Sequence, residues 1–158
     1  MRYAVLLLLL GCDSPERAEV VCVRGWLWLG SGGMGDLAAE ARDLGFTAAD
    51  VPHTRSWKPS GPQVLIGHSF GADRVMQVVS ANADVRFPLV VTVDCTAQWT
   101  KPKNVDWLIS IRGSEPWCHV EGADRIYTIG VNHLLIDKSP FVHLMALTRL
   151  VQLSPRGR

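Results

Sequence analysis

The sequence lacks an excess of charge of either sign. Its 16 Lys and Arg side chains nearly balance 15 Asp and Glu, which leaves a formal net charge of +1 at pH 7. Domains that bind nucleic acid, or a membrane surface by electrostatic attraction, ordinarily carry a clear positive excess, so we expect neither partner. Internal repeats, low-complexity tracts and blocks of like charge are also missing. A chain of 158 residues with 47% apolar side chains is long enough for one globular domain with a real core.

Cysteine is sparse and poorly placed for metal binding. The four cysteines form no C-x-x-C pair and no group of histidines has metal-site spacing, so we expect neither zinc nor any other cofactor. Cys22 lies inside an apolar run and is predicted to be a small core side chain. Cys95 and Cys118 each follow a predicted strand, and in an exported protein they are candidates for a disulfide.

The N-terminus carries an apolar run at 3–10 that contains five consecutive leucines. The run is too short to cross a bilayer. One positive charge before it and a small residue after it are typical of a short secretory signal peptide. The four residues Leu9-Leu10-Gly11-Cys12 resemble the lipobox of bacterial lipoproteins.

That resemblance implies removal of residues 1–11, a lipid anchor on Cys12, a polar tether at 12–19 and a folded domain at 20–153. Asp13, directly after the cysteine, resembles the signal that retains lipoproteins in the inner membrane. It implies a location on the periplasmic face of the bacterial cell envelope. The alternative is that the run is the first buried strand of a cytoplasmic protein. Its pure leucine composition argues against this, because buried strands favour Val and Ile.

The five residues at 67–71, Gly-His-Ser-Phe-Gly, are the most informative feature of the chain. They read G-x-S-x-G, with an apolar run at 64–66 before them and a helix-compatible segment at 72–80 after them. This is the strand–turn–helix setting of a nucleophile elbow. The turn is so tight that its flanking positions must be small, as the two glycines are. Ser69 is therefore the candidate nucleophile; the alternative is a tight turn in a non-catalytic α/β protein.

Short apolar runs alternate with helical or loop segments along the chain, which predicts a mostly parallel sheet with helices on both faces. We expect a minimal α/β fold in which the strand candidates fall in six segments, 19–29 with its buried run at 20–23, 46–51, 63–66, 87–93, 105–111 and 126–131. Helices are predicted at 37–44, with Asp36 as the N-cap after a flexible glycine-rich loop at 30–35, and at 70–81 and 141–153. The glycine-rich loop lacks the Lys and Ser/Thr of a phosphate-binding P-loop. Ligands of such sheets bind beyond the carboxyl ends of the strands.

A serine hydroxyl needs a neighbouring base, and the base needs an acid that fixes its tautomer. His133 is the candidate base, because it follows the last predicted strand and precedes the last helix. Four other histidines compete less well for this role. His68 adjoins the serine and is expected to shape the turn, His53 precedes the elbow, His119 follows a different strand, and His143 falls within the last helix.

Asp94 is the candidate acid, because it ends the apolar strand after the elbow. A carboxylate at that position is costly to bury unless it is paired, and a histidine N–H is a natural partner. Glu115 follows the next strand and stays open as an alternative acid. Asp124 and Asp137 are expected to be solvated or capping residues.

The oxyanion of an acyl-transfer intermediate needs two backbone N–H donors. The N–H of Phe70, the residue after the nucleophile, is one candidate. The N–H of Trp26, which follows the first strand of the domain, is the other, and Gly25 before it permits the required backbone geometry. The alternative is that Gly25 only turns the chain.

Together these residues resemble the α/β-hydrolase superfamily, in its small serine esterase and lipase branch, over most of the predicted domain. The resemblance implies a triad of Ser69, His133 and Asp94, with the acid placed as in pancreatic-type lipases. It implies hydrolysis of a small-molecule ester or thioester through an acyl-enzyme. The chain departs from the family in having no room for a cap domain or lid, and in reading Arg24-Gly25 where the oxyanion loop usually reads His-Gly. The alternatives are an acyltransferase, or a non-catalytic membrane-anchored lipoprotein on a hydrolase scaffold.

Overall fold

The computed structural model describes residues 14–26, 32–115 and 117–153. Within these ranges the chain forms eight strands, three α-helices and one short 3₁₀ helix. The strands are β1 Val20–Arg24, β2 Ala48–Pro52, β3 Val64–His68, β4 Leu89–Val93, β5 Gln98–Thr100, β6 Leu108–Arg112, β7 His119–Glu121 and β8 Arg125–Thr128. The helices are α1 Gly32–Asp43, α2 Phe70–Ala81, α3 Pro140–Leu153 and the 3₁₀ helix Ile136–Lys138.

Six strands form one parallel sheet in the order β2-β1-β3-β4-β6-β8, so the predicted α/β fold is confirmed. The central strands are nearly continuous apolar runs, VVCV in β1 and LVVTV in β4, because both faces of the sheet are buried. β2 lies on one side of β1 and β3 on the other, so the strand order reverses between β1 and β3. Open α/β sheets bind ligands beside such a reversal, and Ser69 directly follows β3 there.

Side chains of each strand point alternately into two apolar cores, one on each face of the sheet. In β3, Leu65 lies in the first core, whereas Val64 and Ile66 lie in the second. Helix α2 covers the first core, and α1 and α3 cover the second, so helices lie on both faces. The helical contributions are Ala72, Val75, Met76, Val78 and Val79 from α2, Met34, Leu37, Ala38 and Ala41 from α1, and Val142, Ala146 and Leu150 from α3.

Helix α1 begins at Gly32 rather than at residue 37, so Asp36 lies inside the helix and its prediction as the N-cap is wrong. The reason is a partner far away in the sequence. Oδ2 of Asp137 accepts a hydrogen bond from the N–H of Gly33 at 2.9 Å. A Cβ on Gly33 would lie 2.2 Å from the carbonyl oxygen of Asp137, so only glycine allows this approach. Residues 30 and 31 of the predicted loop lie outside the described residues.

A second sheet, which the sequence analysis does not predict, pairs β5 with β7. Its strands are three residues long, and only their middle residues, Trp99 and Val120, pack towards the core. Beside this sheet a disulfide joins Cys95 to Cys118, with a Cα–Cα distance of 4.9 Å. The disulfide ties the turn after β4 to the segment before β7. Cys22 is a free thiol buried in β1, where burial raises its pKa.

The predicted signal peptide at 1–11 and the predicted lipid site at Cys12 lie outside the described residues. Part of the predicted tether, residues 14–19, lies against the domain. Ala18 is buried, and its carbonyl oxygen accepts a hydrogen bond from Nε2 of Gln63 at 2.8 Å. The carbonyl oxygen of Glu16 accepts one from the N–H of Ser60 at 2.9 Å. The folded unit therefore includes residues that precede β1.

None of the helices in the described ranges has the length and apolar character needed to cross a membrane.

Candidate active site

Ser69 lies at the tip of the turn between β3 and α2, in a backbone conformation that residues with side chains rarely adopt. Its φ is 57° and its ψ is −130°, a strained geometry of the kind found at functional turns. Its N–H donates to the carbonyl oxygen of Val93 at 2.9 Å, which ties the turn to the end of β4. A Cβ on Gly67 would lie 2.5 Å from the carbonyl oxygen of Gly71, so the strand and helix can approach this closely only because Gly67 is glycine.

His133 bridges Ser69 and Asp94. Its Nε2 lies 2.8 Å from Oγ of Ser69, and its Nδ1 lies 2.7 Å from Oδ2 of Asp94. A carboxylate can only accept, so Nδ1 of His133 carries a proton and donates it to Asp94. In the neutral ring, Nε2 then accepts the hydroxyl hydrogen of Ser69. The structure therefore brings the three candidates together in the order nucleophile, base and acid.

Asp94 is fully buried and is held in a fixed direction. Its Oδ1 accepts a hydrogen bond from the N–H of Gly113 at 3.1 Å, while its Oδ2 faces His133. Its own N–H donates to the carbonyl oxygen of Ile111 at 2.7 Å. Its φ is 47°, in the left-handed region that Asp tolerates better than most residues. This turn directs the carboxylate across the ends of β4 and β6 to the base.

The hydrogen bond to Asp94 is the main cause that raises the pKa of His133 above its usual value of 6.5. The negative charges of Asp94, Glu115 and Asp137 act in the same direction, and partial burial of the ring opposes them. The arrangement therefore stabilises the imidazolium that forms when a base takes up the proton of a serine.

Glu115, the alternative acid, lies near Asp94 but does not bond to His133. Its Oε2 is 3.2 Å from the point that a Cβ on Gly113 would occupy, and Oδ2 of Asp94 is 3.0 Å from the same point. Oε2 of Glu115 is buried without a hydrogen-bond partner among the described residues. Glu115 therefore affects His133 only through its charge, and Asp94 is the carboxylate that contacts this candidate base.

The other histidines lie away from Oγ of Ser69 or take other partners. Nδ1 of His53 lies 3.2 Å from the carbonyl oxygen of Gly25. His119 is exposed on β7. His143 is partly buried in α3, and its Nδ1 lies 2.8 Å from a carboxylate oxygen of Glu40.

Two acidic residues take structural roles outside the triad. Asp137, expected to be solvated or capping, caps rather than being solvated: it is fully buried, burial raises its pKa, and its carboxylate accepts a hydrogen bond from the N–H of Gly33 in the first turn of α1. Asp124 accepts hydrogen bonds from Nζ of Lys101 and, at 2.7 Å, from the N–H of Leu108. Both therefore fix loops to elements of the fold.

The two candidate oxyanion donors border one space. Phe70 is the first residue of α2, and no acceptor for its N–H lies within the described residues. Phe70, Trp26 and His53 line an open cavity of about 360 Å³. A trans peptide directs its C=O and N–H in opposite directions. Since the carbonyl of Gly25 faces His53, the N–H of Trp26 points away from His53.

The sequence predicts only a turn-shaping role for His68, whereas in the structure it is hydrogen-bonded to the backbone of the candidate base His133. Its Nε2 lies 2.9 Å from the carbonyl oxygen of His133, and the two rings are 5.0 Å apart. The position of His68 at the end of an apolar strand could have indicated this contact, because a polar side chain buried there requires a hydrogen-bond partner. His53 follows β2 at the same edge of the sheet, and that placement was the corresponding signal for its contact with Gly25.

No group of three or more His, Cys, Asp or Glu side chains in the described ranges is placed to hold a metal ion. Comparisons with protein-family models, with curated proteins and with solved structures find no match to this chain. The geometry of the site is therefore the basis for assigning its chemistry.

Proposed function

We propose that this protein is a serine hydrolase that cleaves an ester or thioester through an acyl-enzyme. The observation that carries the proposal is the connected set of contacts from Ser69 Oγ to His133 at 2.8 Å and from His133 to Asp94 at 2.7 Å. The strained φ of 57° at Ser69 and the start of α2 directly behind it add independent support.

In the proposed reaction Oγ of Ser69 attacks the acyl carbon while Nε2 of His133 takes the hydroxyl proton. The carboxylate of Asp94 stabilises the imidazolium and keeps the ring in place. The N–H of Phe70, joined by that of Trp26, stabilises the negative oxygen of the tetrahedral intermediate. His133 then gives its proton to the leaving alkoxide or thiolate. In the second step His133 takes a proton from water, which attacks the acyl-enzyme and releases the carboxylic acid product, and the proton returns to Ser69.

The site is open on the side of the cavity lined by Trp26, His53 and Phe70. Trp26 is 65% exposed and Phe70 is 45% exposed, so apolar surface borders the nucleophile. We therefore propose small or exposed acyl groups as substrates. If the acyl group passes from Ser69 to an alcohol or amine rather than to water, the same site is an acyltransferase.

Labelling with a fluorophosphonate probe tests the proposal. We expect the folded wild-type protein to be labelled covalently at Ser69, because the probe reports a serine activated by a neighbouring base. Ser69→Ala should abolish labelling. Ser80→Ala, which changes an exposed serine in the helix that follows Ser69, is the matched control and should label like the wild type. Intact-protein mass spectrometry and peptide mapping give the extent and position of labelling.

Absence of labelling in well-folded wild-type protein would contradict the proposal and would favour the non-catalytic scaffold. If labelling succeeds, hydrolysis of p-nitrophenyl acetate in the presence and absence of an added alcohol separates the hydrolase from the acyltransferase. Formation of a new ester at the expense of free acetate would identify transfer.

The pH dependence of the reaction follows from the direction of the shift at His133. The base must be neutral, because a protonated Nε2 cannot accept the proton of Ser69. Since the contact with Asp94 raises the pKa of His133 above 6.5, we expect kcat/KM to fall as pH decreases through a value above 6.5. Initial rates between about pH 5 and 9, corrected for the Ser69→Ala background, give this profile. A rate that stays constant down to pH 5 would contradict the assignment of His133 as the base.

We propose an exported, lipid-anchored protein of the bacterial envelope, as the N-terminal sequence suggests. The disulfide between Cys95 and Cys118 supports export, since disulfides persist in oxidising compartments such as the periplasm.

A further inference from the structure

We infer that His68 is a positioning residue for the catalytic base, an inference that rests on the proposed function. It holds the base loop, defined here as residues 132–135, by a hydrogen bond to the backbone of His133. Nε2 of His68 lies 2.9 Å from the carbonyl oxygen of His133. A carbonyl oxygen only accepts, so Nε2 of His68 carries the proton and donates it.

The base loop has few apolar anchors of its own. Leu134 is 65% exposed and Leu135 is 52% exposed, whereas the fully buried Ile136 comes only after the loop. Asn132 accepts hydrogen bonds from within the loop and from the adjoining 3₁₀ helix. Within the described residues, the hydrogen bonds that join the loop to parts of the fold beyond the adjoining 3₁₀ helix are those of His133. The position of the base therefore depends on polar contacts, joined by an edge contact between its ring and that of Trp117 at 6.1 Å between centroids.

Two consecutive residues of the elbow contact His133 at its two ends. Oγ of Ser69 contacts the ring, and Nε2 of His68 contacts the backbone carbonyl. His68 is the last residue of β3, is 1% exposed, and pairs in register with Val93 of the neighbouring strand. The nucleophile and the anchor of the base are thus fixed by the same rigid strand end.

The far side of His68 faces a second fixed group. Its Nδ1 lies 4.0 Å from Oδ2 of Asp137, and that carboxylate is bonded to the N–H of Gly33 in α1. Burial and the charge of His133 lower the pKa of His68 to about 4, so the ring is neutral near pH 7. His68 can therefore donate to the base loop without adding a positive charge beside His133.

Removal of this donor should allow the base loop to move relative to Ser69. A misplacement of about 1 Å between reacting groups lowers rates by about 10²-fold. The formation of the covalent bond should slow, while binding of the probe should change little, because His68 is buried behind the nucleophile.

Two variants of similar size separate positioning from packing. His68→Leu removes the donor, and His68→Gln places an amide N–H the same number of bonds from the backbone. We expect His68→Leu to lower the rate constant of fluorophosphonate inactivation by about 10²-fold at unchanged KI, and His68→Gln to recover most of that loss. Thermal unfolding confirms that each variant is folded.

Nuclear magnetic resonance gives a readout that does not require catalysis. The resonance of the proton on Nδ1 of His133 should be visible in the wild type and in His68→Gln, and broadened in His68→Leu, because that variant frees the base loop.

Wild-type protein that the probe does not label would overturn the proposed function, while this resonance would still decide the role of His68. A wild-type inactivation rate in folded His68→Leu would overturn the inference. Equal losses in folded His68→Leu and His68→Gln would overturn it too. If His68→Leu fails to fold, wild-type rates in His68→Gln support the inference and a large loss overturns it.

Discussion

Asp94→Asn should lower the rates of ester hydrolysis and of fluorophosphonate labelling by about 10⁴-fold, the scale expected when a triad histidine takes the wrong tautomer. The structure gives the reason at the level of single atoms. Oδ1 of Asp94 accepts the N–H of Gly113 at 3.1 Å, so an Asn must place its carbonyl oxygen there. Its NH₂ group then faces Nδ1 of His133 and donates to it. The proton of the imidazole moves to Nε2, where it blocks transfer from Ser69.

Glu115→Gln is the matched control for that experiment. Glu115 lies close to Asp94, but its buried Oε2 has no partner among the described residues, so its loss should change the rate by less than about tenfold. Its negative charge helps to raise the pKa of His133, so the acid limb of the pH profile should move to lower pH in this variant. A larger loss of activity in Glu115→Gln than in Asp94→Asn would show that Glu115, and not Asp94, is the acid.

The elbow could be predicted from sequence because its turn is formed by consecutive residues. β3 ends at His68 and α2 begins at Phe70, so the turn has only Ser69 between two regular elements. Gly67 is required by its close approach to the carbonyl oxygen of Gly71 within the same turn, whereas Gly71 is required by the close approach of α2 to Val23 of β1, a distant part of the chain. The apolar strands could be predicted too, since burial on both faces makes their sequences nearly continuous apolar runs.

The choice between the two candidate acids could not be predicted in the same way. Asp94 and Glu115 follow neighbouring strands, β4 and β6, and both carboxylates approach the same point beside Gly113. What distinguishes them is the left-handed turn at Asp94 and the bond from Gly113, which direct one carboxylate at His133. A backbone angle and an interstrand hydrogen bond leave no pattern in residue types.

Contacts between distant segments also account for the parts of the fold that sequence reasoning missed. Helix α1 starts at Gly32 because Asp137 binds the N–H of Gly33. The pairing of β5 with β7 involves strands of three residues, which are too short to show a period. In each case the stabilising partner belongs to another element, so local propensity alone favours a loop.

Gly71→Ala should destabilise the whole domain, with a loss of about 3 kcal/mol or more in the free energy of unfolding. A Cβ on Gly71 would lie 2.1 Å from the carbonyl oxygen of Val23 and 2.9 Å from the carbonyl carbon of Arg24. Both atoms belong to the backbone of β1, which is hydrogen-bonded to strands on both sides and cannot move aside. Either α2 must shift away from the sheet or the pairing of β1 must break, and each costs buried apolar contacts.

Gly61→Ala is the control for the same chemical change, because a Cβ there meets nothing within 4 Å. It should leave the free energy of unfolding within about 0.5 kcal/mol of the wild type, and urea titration of both variants gives the comparison. Wild-type stability of Gly71→Ala would show that α2 does not need this approach to β1.

The close approach of α2 to β1 also affects the candidate site. It brings the end of β1, which leads to Trp26, against the first turn of α2, which begins at Phe70. In Gly71→Ala these two candidate oxyanion donors should separate, so any folded fraction of the variant should also lose labelling of Ser69.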